Sequence, residues 1–230
     1  DPIQRTCMTF TNLFCYLGSL MDVTLSDLPD ANNRIQKSSQ GFGMLAPLFF
    51  RSRKFTYTTK RIVFDSLITS VCLYGCESWA VTAEIQRRLR SFQTQCVKQV
   101  LDTSTPVMIE KHISAADADV RKTLGVRDVV CQMEHLQLKW CGRVRDVPLD
   151  RLPRQFLVSW LPSPRLRNYP QTQFQTVKKA LATVGISEGE FPLLSKDPRE
   201  WNRYISQTLE DRCSRLQSAT ISTPADMVRS

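Results

Sequence analysis

Apolar residues recur every three or four positions along most of this chain, and that spacing places them on one face of an α-helix. The clearest example is the apolar stripe formed by Ile85, Leu89, Phe92, Cys96 and Val100. Further inward faces are predicted at Ile35, Phe42, Leu45 and Phe49; at Phe64, Leu67, Ile68 and Val71; at Val129, Met133, Leu136, Trp140 and Val144; and at Phe174, Val177, Leu181 and Val184. The pattern therefore predicts a mainly α-helical fold.

The beginning of the chain follows a different pattern. Residues 9–21 are rich in aromatic and β-forming side chains, which is typical of a short strand or hairpin, and Gly18 suits its bend. Residues 22–33 are rich in Asp and Asn and are predicted to form a loop, with Asp30 as the cap of the first helix. A short β-hairpin should thus precede the helices.

Two signals mark helix ends nearer the C-terminus. Gly185 follows the last apolar position of one helix, and Gly commonly ends helices because it tolerates the left-handed conformation. Asp197 and Pro198 stand where the cap and the first residue of a final helix belong. The Pro-rich residues 146–168 and the segment 102–106 are predicted to be joints between helical parts.

The charge of the chain is strongly positive. It carries 31 Lys and Arg residues against 22 Asp and Glu, a formal net charge of +9. Such a balance suits an anionic partner, most often nucleic acid. The excess is greatest between residues 51 and 100, where nine basic residues stand against three acidic ones. The candidates for phosphate contacts there are Arg51, Arg53, Lys54, Lys60, Arg61, Arg87, Arg90 and Lys98.

Arg87, Arg90 and Lys98 lie opposite the apolar stripe on a helical wheel, and we refer to these three residues as the basic ridge. Long basic side chains bind phosphates without reading base sequence. A solvated helix face usually mixes charges of both signs, and acids are nearly absent from this one, which favours binding. The alternative interpretation is an ordinary solvated face.

Catalytic motifs are missing from this sequence. Nucleotidyl transfer needs clustered carboxylates that hold two metal ions, and no Asp-Asp pair occurs. Asp22, Asp27 and Asp30 share a loop that is typical of helix capping rather than of a metal site. Neither a GxxxxGK phosphate loop nor a GxGxxG motif is present. We therefore predict no catalytic residue, no metal ligand and no cofactor for this chain.

The eight cysteines leave one alternative open. Cys72 and Cys76 are four residues apart, as are Cys131 and His135, and on helices such pairs could face a zinc ion. Their separation along the chain, and the position of Cys96 in the apolar stripe, favour buried free thiols. No secretory signal opens the chain and no apolar run could span a bilayer. We expect an intracellular protein, nuclear or cytoplasmic, without a membrane partner.

Six short phrases stand in order along the chain: Phe14 to Leu20 (FCYLGSL), Asn33 to Leu45, Thr59 to Trp79 (ending in LYGCESW), Arg90 to Cys96 (RSFQTQC), Leu138 to Asp146 (LKWCGRVRD) and Arg151 to Pro153 (RLP). In this order they resemble the region that follows the catalytic palm in reverse transcriptases of non-LTR (LINE-like) retrotransposons. A weaker likeness follows at residues 178–186 and at Trp201. Two positions depart from the family pattern: Arg143 stands where the family has His, and Asp146 where it has Arg.

The resemblance implies that this chain, which begins with Asp1 rather than Met, is the C-terminal part of an RNA-directed DNA polymerase. It divides the chain into the end of the palm (1–30), a thumb-like bundle (31–102), a helical extension (103–213) and a tail (214–230), which its Ser and Thr content predicts to be disordered. The predicted fold is mainly α, with a short N-terminal β-hairpin, a three-helix thumb-like bundle and a looser C-terminal helical lobe.

By the same resemblance, the thumb would grip a primer–template duplex. The expected partners are therefore RNA, DNA or an RNA–DNA duplex, together with the missing N-terminal polymerase part. Tyr16, Leu17 and Gly18 would lie nearest the primer end. Mg²⁺ is implied for the intact polymerase, whereas this chain alone is expected to hold nucleic acid rather than extend it. Two alternatives stay open: a helical interaction module or degenerate relic without a nucleic-acid role, and a small zinc-bound helical domain.

Overall fold

An antiparallel hairpin opens the part of the chain that the structure, a computed structural model, describes: residues 11–101, 117–145, 147–148, 150–153, 173–187 and 189–219. Strand β1 (Leu13–Tyr16) pairs with strand β2 (Ser19–Asp22). The two turn residues, Leu17 and Gly18, have φ angles of 48° and 87°. Two successive left-handed residues make a tight turn whose twist matches that of the strands, which confirms Gly18 at the bend.

Helix α1 (Leu28–Leu45) follows the loop and runs into a π-helical turn (Ala46–Phe50). Its N-cap residue is Asp27, so the prediction of Asp30 as the cap is wrong. Asp30 lies inside the first turn of α1, and its buried carboxylate accepts hydrogen bonds from residues outside that helix. The sequence therefore predicts the correct loop for the cap but the wrong residue, because the Asp30 carboxylate binds residues outside α1.

Helix α2 (Tyr57–Val63) continues through a π-helical segment (Phe64–Thr69) and a last helical turn (Ser70–Cys72). Four of its buried positions are spaced four residues apart, Lys60, Phe64, Ile68 and Cys72, and Thr69 is buried beside Ile68. A π-helix bonds residue i to i+5 and widens the turn, so the repeat is longer than the roughly 3.6 residues of an α-helix. The α-helical spacing predicts Leu67 and Val71 inside; this is wrong, because the wider turn leaves both exposed.

The remaining described helices are α3 (Ala83–Leu101), α4 (Asp117–Leu124), α5 (Val129–Arg145), α6 (Gln173–Thr183), α7 (Phe191–Leu194) and α8 (Pro198–Ala219). Gly185 follows α6 with a φ of 74°. Asp197 caps α8, since its Oδ1 accepts the backbone N–H of Arg199 at 2.7 Å and of Glu200 at 3.3 Å. Both helix-end predictions are confirmed, and so is the mainly α fold with its N-terminal hairpin.

Two hydrophobic cores lie among these helices. The first gathers buried residues from Ala31 to Met133 and contains the whole apolar stripe of α3, which confirms that stripe. The second gathers buried residues from Leu138 to Leu209. Helix α5 belongs to both cores, the first half to one and the second half to the other. Because α4 also packs in the first core, that core extends beyond the boundary predicted at residue 102.

The second core is organised around one tryptophan. Trp201 is buried, and its indole Nε1 donates a hydrogen bond to the carbonyl oxygen of Leu138 at 2.9 Å. A Cβ atom at Gly142 would overlap the indole ring, so α5 needs a glycine there for α8 to approach. The ring of Phe191 meets the indole edge-on, with centroids 5.4 Å apart. Trp201 and the LKWCGRVRD phrase are therefore packing partners.

Several predictions fall partly or wholly outside the described residues. These are the joint at 102–106, most of the joint at 146–168, the side chain of Phe174, and residues 220–230 of the tail. Helix α8 itself continues past Ser214, into the segment predicted to be disordered. Among the described helices, none has the combination of length and apolarity that crossing a membrane demands.

Candidate nucleic-acid interface

A buried polar cluster joins the hairpin to α1 and to the turn that precedes α3. Asp30 is only 2% exposed. Its Oδ1 accepts the backbone N–H of Leu20 at 2.9 Å, and its Oδ2 accepts the indole Nε1–H of Trp79 at 2.9 Å. A buried carboxylate needs such donors because its desolvation is costly. Asp30 thus fixes strand β2 and Trp79 to the same helical turn.

Arg34 completes this cluster one turn later in α1. Its Nη2 donates to the carbonyl oxygen of Gly18 at 2.7 Å and to Ser19 Oγ at 3.3 Å. Its Nε lies 3.8 Å from Asp30 Oδ1, and its guanidinium carbon lies 4.3 Å from the ring centroid of Tyr74. A cation over an aromatic face is attractive and more so when it is shielded from water. Arg34 therefore holds the hairpin turn against α1.

Sequence reasoning missed the structural role of Asp30 and Arg34. A signal was available, because Arg34, Ser38 and Phe42 are spaced four apart and all three are buried on one face of α1. The cluster also brings together three of the six phrases: the one with Gly18, the one with Arg34, and the one with Tyr74 and Trp79. These segments are far apart in the sequence and meet through specific side-chain contacts.

The residues expected near the primer end lie at the hairpin turn. Tyr16 is exposed, Leu17 is 77% exposed, and Gly18 supplies the carbonyl that Arg34 holds. The hydroxyl of Tyr74 donates to the Leu17 carbonyl oxygen at 3.4 Å. The structure therefore presents Tyr16 and Leu17 to solvent on a fixed turn.

Beside this turn lies an open groove of about 790 Å³ between the hairpin, the end of α2 and α5. Its lining includes exposed apolar side chains of the hairpin, such as Met21, and two carboxylates, Asp65 and Glu77. Burial raises the pKa of Asp65, and the neighbouring Arg61 and Arg127 act against that rise. Carboxylates repel phosphates, so this groove is not suited to the nucleic-acid backbone.

Three of the predicted cations lie in the segment that connects α1 to α2. Arg51, Arg53 and Lys54 are exposed between the π-helical turn after α1 and the start of α2, and we call these three residues the basic tip. Phe55 follows directly, and its ring lies 4.3 Å from that of Phe49, which packs against the first core. The basic tip is therefore attached to a packed aromatic base.

The sequence around the basic tip contains no acid. From residue 31 to residue 64 there are seven Lys or Arg residues and no Asp or Glu. One of the seven, Lys37, is exposed on α1 and was not among the predicted contacts. The acid-free run is the sequence signal for Lys37, since this run begins upstream of residue 51.

Two further candidates, Lys60 and Arg61, do not join the basic tip. Lys60 is 3% exposed, so its prediction as a phosphate contact is wrong. It occupies the four-residue repeat of inward positions on α2, its ammonium lies 5.6 Å from the Tyr57 ring centroid, and burial lowers its pKa. Arg61 is partly buried and lies against Gly125, where an added Cβ would come within 3.3 Å of Nη1.

The basic ridge is balanced by acids. Arg87 is exposed but donates two hydrogen bonds to Glu84, at 2.9 Å from Nε and 2.8 Å from Nη2. Arg88 also donates to Glu84, at 2.6 Å. The hydrogen bonds from Arg88 and Arg87 lower the pKa of Glu84, so this carboxylate stays charged under mildly acidic conditions. Lys98 is partly buried.

Arg90 is engaged by the acid that precedes another helix. Its Nε lies 3.1 Å from Asp128 Oδ2, and Arg121 Nη2 lies 3.5 Å from the same oxygen. The other oxygen of Asp128 accepts the backbone N–H groups of Val130 at 2.9 Å and Cys131 at 3.3 Å, which caps α5. The prediction of a ridge nearly free of acids is therefore wrong: Arg90 joins α3 to the start of α5.

The aspartates of the first loop are also engaged within the fold. Asp27 Oδ2 accepts the backbone N–H of Ala80 at 2.7 Å, Asp22 accepts the Thr24 hydroxyl at 2.5 Å, and Asp30 has the partners described above. Burial raises the pKa of Asp27. Within the described ranges, no three His, Cys, Asp or Glu side chains gather as a metal site would require.

Comparison with protein-family models, with curated proteins and with solved structures finds no match for this chain. The resemblance to non-LTR reverse transcriptases therefore rests on the six phrases alone.

Proposed function

We propose that this chain is the C-terminal part of a non-LTR retrotransposon reverse transcriptase, and that on its own it binds an RNA, DNA or RNA–DNA duplex by the phosphates. The observation that carries the binding proposal is the basic tip: Arg51, Arg53 and Lys54 are exposed together within a run of residues that contains no acid. Long basic side chains that are exposed together attract phosphates, and an acid-free stretch of sequence adds no local repulsion.

The setting of the basic tip supports a backbone-binding role. Exposed apolar side chains stand next to it, notably Leu48 and Phe55. Apolar and aromatic groups beside cations suit nucleic acid, because sugars and bases offer apolar surface next to each phosphate. Affinity of this kind depends on salt and is insensitive to base sequence. The function would be to hold a duplex in place.

The polymerase part of the proposal is supported by the buried polar cluster. Gly18, Arg34, Tyr74 and Trp79 come from three different phrases of the resemblance and contact one another through Asp30 and Arg34. If these phrases belong to one family fold, their contacts in this cluster explain why they occur together in the sequence. The partner implied by this proposal is the N-terminal polymerase part, which would supply the carboxylates for Mg²⁺.

The absence of an Asp-Asp pair leads us to propose that the isolated chain does not polymerise. Incubated with a primed RNA template, Mg²⁺ and deoxynucleotides, it should extend no primer. The matched control is a mock preparation from cells without the gene. Template-dependent extension above that control contradicts this part of the proposal.

The binding proposal is tested with two charge-matched variants. In the first, the three residues of the basic tip are changed to Gln. In the second, Lys196, Arg199 and Arg203 are changed to Gln; they are equally exposed at the start of α8, but Asp197 and Glu200 stand among them. Each variant loses three positive charges from the same net +9. Binding to a fluorescent RNA–DNA duplex is measured by anisotropy at 0.1 M salt.

The tip variant should bind at least about tenfold more weakly than the parent, and the α8 variant within about twofold of it. The loss should be equal for duplexes of unrelated sequence, because phosphate contacts carry no base information. Equal losses in both variants would mean that only net charge matters, and the basic tip would then not be the binding site.

The groove beside the hairpin favours a second candidate function, that of a helical interaction module. Its exposed apolar lining and its carboxylates, Asp65 and Glu77, suit a polypeptide better than a nucleic acid. The anisotropy experiment separates the two functions. If the parent chain fails to bind any duplex at 0.1 M salt, the interaction module replaces nucleic-acid binding as the proposed function.

A further inference from the structure

Two cysteines from different helices meet beneath the surface of the second half of the chain. Cys131 lies in the first half of α5 and Cys213 in the second half of α8, and they are 2% and 8% exposed. The Cys131 thiol donates a hydrogen bond to the Cys213 sulfur. Both residues line a cavity of about 140 Å³, which also contains His135. The two cysteines therefore line the same small compartment.

Two ion pairs hold the helices together at this place. Arg127 Nη2 lies 2.5 Å from Glu210 Oε1, and Arg212 forms an ion pair with Glu134. Arg127 lies just before α5 and Glu134 lies within it, on either side of Cys131 in the sequence, and Glu210 and Arg212 precede Cys213 on α8. The two ion pairs therefore join α8 to α5 and the residues just before it, close to both cysteines in the sequence.

The surroundings of Cys213 favour its thiolate form. The hydrogen bond from Cys131 lowers the pKa of Cys213. Burial and the Asp128 carboxylate act against this, and Arg127 and Arg212 lower the pKa further. A thiolate is the nucleophilic form, and nearby cations stabilise it. Burial, with the nearby Lys139, lowers the pKa of His135 from its ordinary 6.5, so the imidazole is neutral at pH 7 and can accept a proton.

Other buried cysteines of the described chain contrast with this pair. Burial raises the pKa of Cys72, Cys96 and Cys141 to about 12 in each case. Those thiols stay protonated at neutral pH and react slowly, because the thiolate is the attacking species. The lowered pKa therefore sets Cys213 apart from these thiols, whereas the pKa of Cys131 is raised as theirs are.

We propose that Cys131 and Cys213 form a reversible disulfide that joins α5 to α8 when a peroxide is present. The Cys213 thiolate attacks one oxygen of hydrogen peroxide, the O–O bond breaks, and a sulfenic acid and hydroxide result. The Cys131 sulfur then attacks the Cys213 sulfur, its proton leaves with the displaced hydroxide as water, and the S–S bond forms. Overall, two thiols lose two electrons and two protons, and one peroxide becomes two waters. A dithiol reductant reverses the reaction.

The test uses the full chain with Cys7 and Cys15 changed to Ser, so that these two cysteines cannot join separate molecules. The protein is treated with hydrogen peroxide at pH 7, alkylated with N-ethylmaleimide and weighed intact. The expected product is lighter than the reduced protein by about 2 Da before alkylation, since two hydrogens are lost, and it takes up two fewer alkyl groups. Peptide mapping should find Cys131 joined to Cys213, and dithiothreitol should restore both thiols.

A matched set of variants distinguishes this pair from the other thiols. Cys131→Ser and Cys213→Ser should each abolish the mass loss, whereas Cys141→Ser, a change at another buried cysteine of α5, should preserve it. The proposal is overturned if both Cys131 and Cys213 are still alkylated after peroxide treatment, or if Cys213 gains oxygen without joining Cys131. Mapping on the parent background decides the question even if a variant fails to fold. Neither result depends on nucleic-acid binding.

Discussion

The basic tip and the basic ridge contain the same kind of residues but differ in the acids near them. Arg51, Arg53 and Lys54 lie in a run without acids, whereas Arg87 and Arg90 lie beside Glu84 and Asp128. One of those acids is three residues away on the same helix, and the other is brought in by the fold. The difference teaches that the number of cations on a face does not predict a phosphate site unless their partners are known.

Among the acids that pair with the basic ridge, Asp128 should contribute most to stability. Replacing Asp128 with Ala removes the cap of α5 and leaves Arg90 and Arg121 without their shared carboxylate, so the free energy of unfolding should fall by about 2–3 kcal/mol. Asp128→Asn keeps an oxygen for the cap and should cost less. Urea unfolding followed by circular dichroism measures both variants. An unchanged midpoint for the Ala variant would show that the ridge arginines have no structural role.

A smaller effect separates the two arginines of the ridge. Arg90→Gln should lower the free energy of unfolding by about 1 kcal/mol, because Arg90 is only partly exposed and joins α3 to the start of α5. Arg87→Gln is the matched control, since its ion pair with Glu84 is exposed and lies within one helix. Its urea midpoint should stay within error of the parent. If the two variants unfold alike, the contrast between these arginines is wrong.

The smallest effect is expected at Glu84, the acid that pairs with Arg87 of the basic ridge and with Arg88. Glu84→Gln releases Arg87 and Arg88 and should tighten duplex binding by less than about threefold. Because the folded pKa of Glu84 lies below 4.5, its ion pairs persist above that value and are lost only as the pH falls through the lowered pKa. The gain in the variant should therefore be the same at pH 7 and pH 5. A gain that disappears by pH 5 contradicts the lowered pKa.

The regular parts of the fold could be predicted from the sequence. The stripe from Ile85 to Val100 is buried as expected, because α3 is an uninterrupted α-helix with one apolar face. Gly185 and Asp197 mark helix ends for local reasons that a sequence displays directly: left-handed backbone at one and carboxylate capping at the other. In each case the cause lies within a few residues.

The departures have causes that lie far away in the sequence or in an unusual backbone. Leu67 and Val71 are exposed because a π-helical segment changes the repeat, and no periodic pattern revealed it. Asp30 is buried because Trp79, forty-nine residues later, donates to it. Arg90 is paired because Asp128 caps a helix that packs against α3. The sequence pattern therefore does not distinguish charged residues that bind within the fold from those on the surface.

The central claim, that the basic tip contacts phosphates, is tested most directly by the salt dependence of duplex binding. The logarithm of the association constant is measured against the logarithm of salt concentration for the parent, the tip variant and the α8 variant on one B-DNA duplex. Each phosphate contact contributes a slope of about −0.9, so the tip variant should have a slope shallower by up to about 2.7, while the α8 variant keeps the slope of the parent. Identical slopes for the parent and the tip variant would contradict the claim.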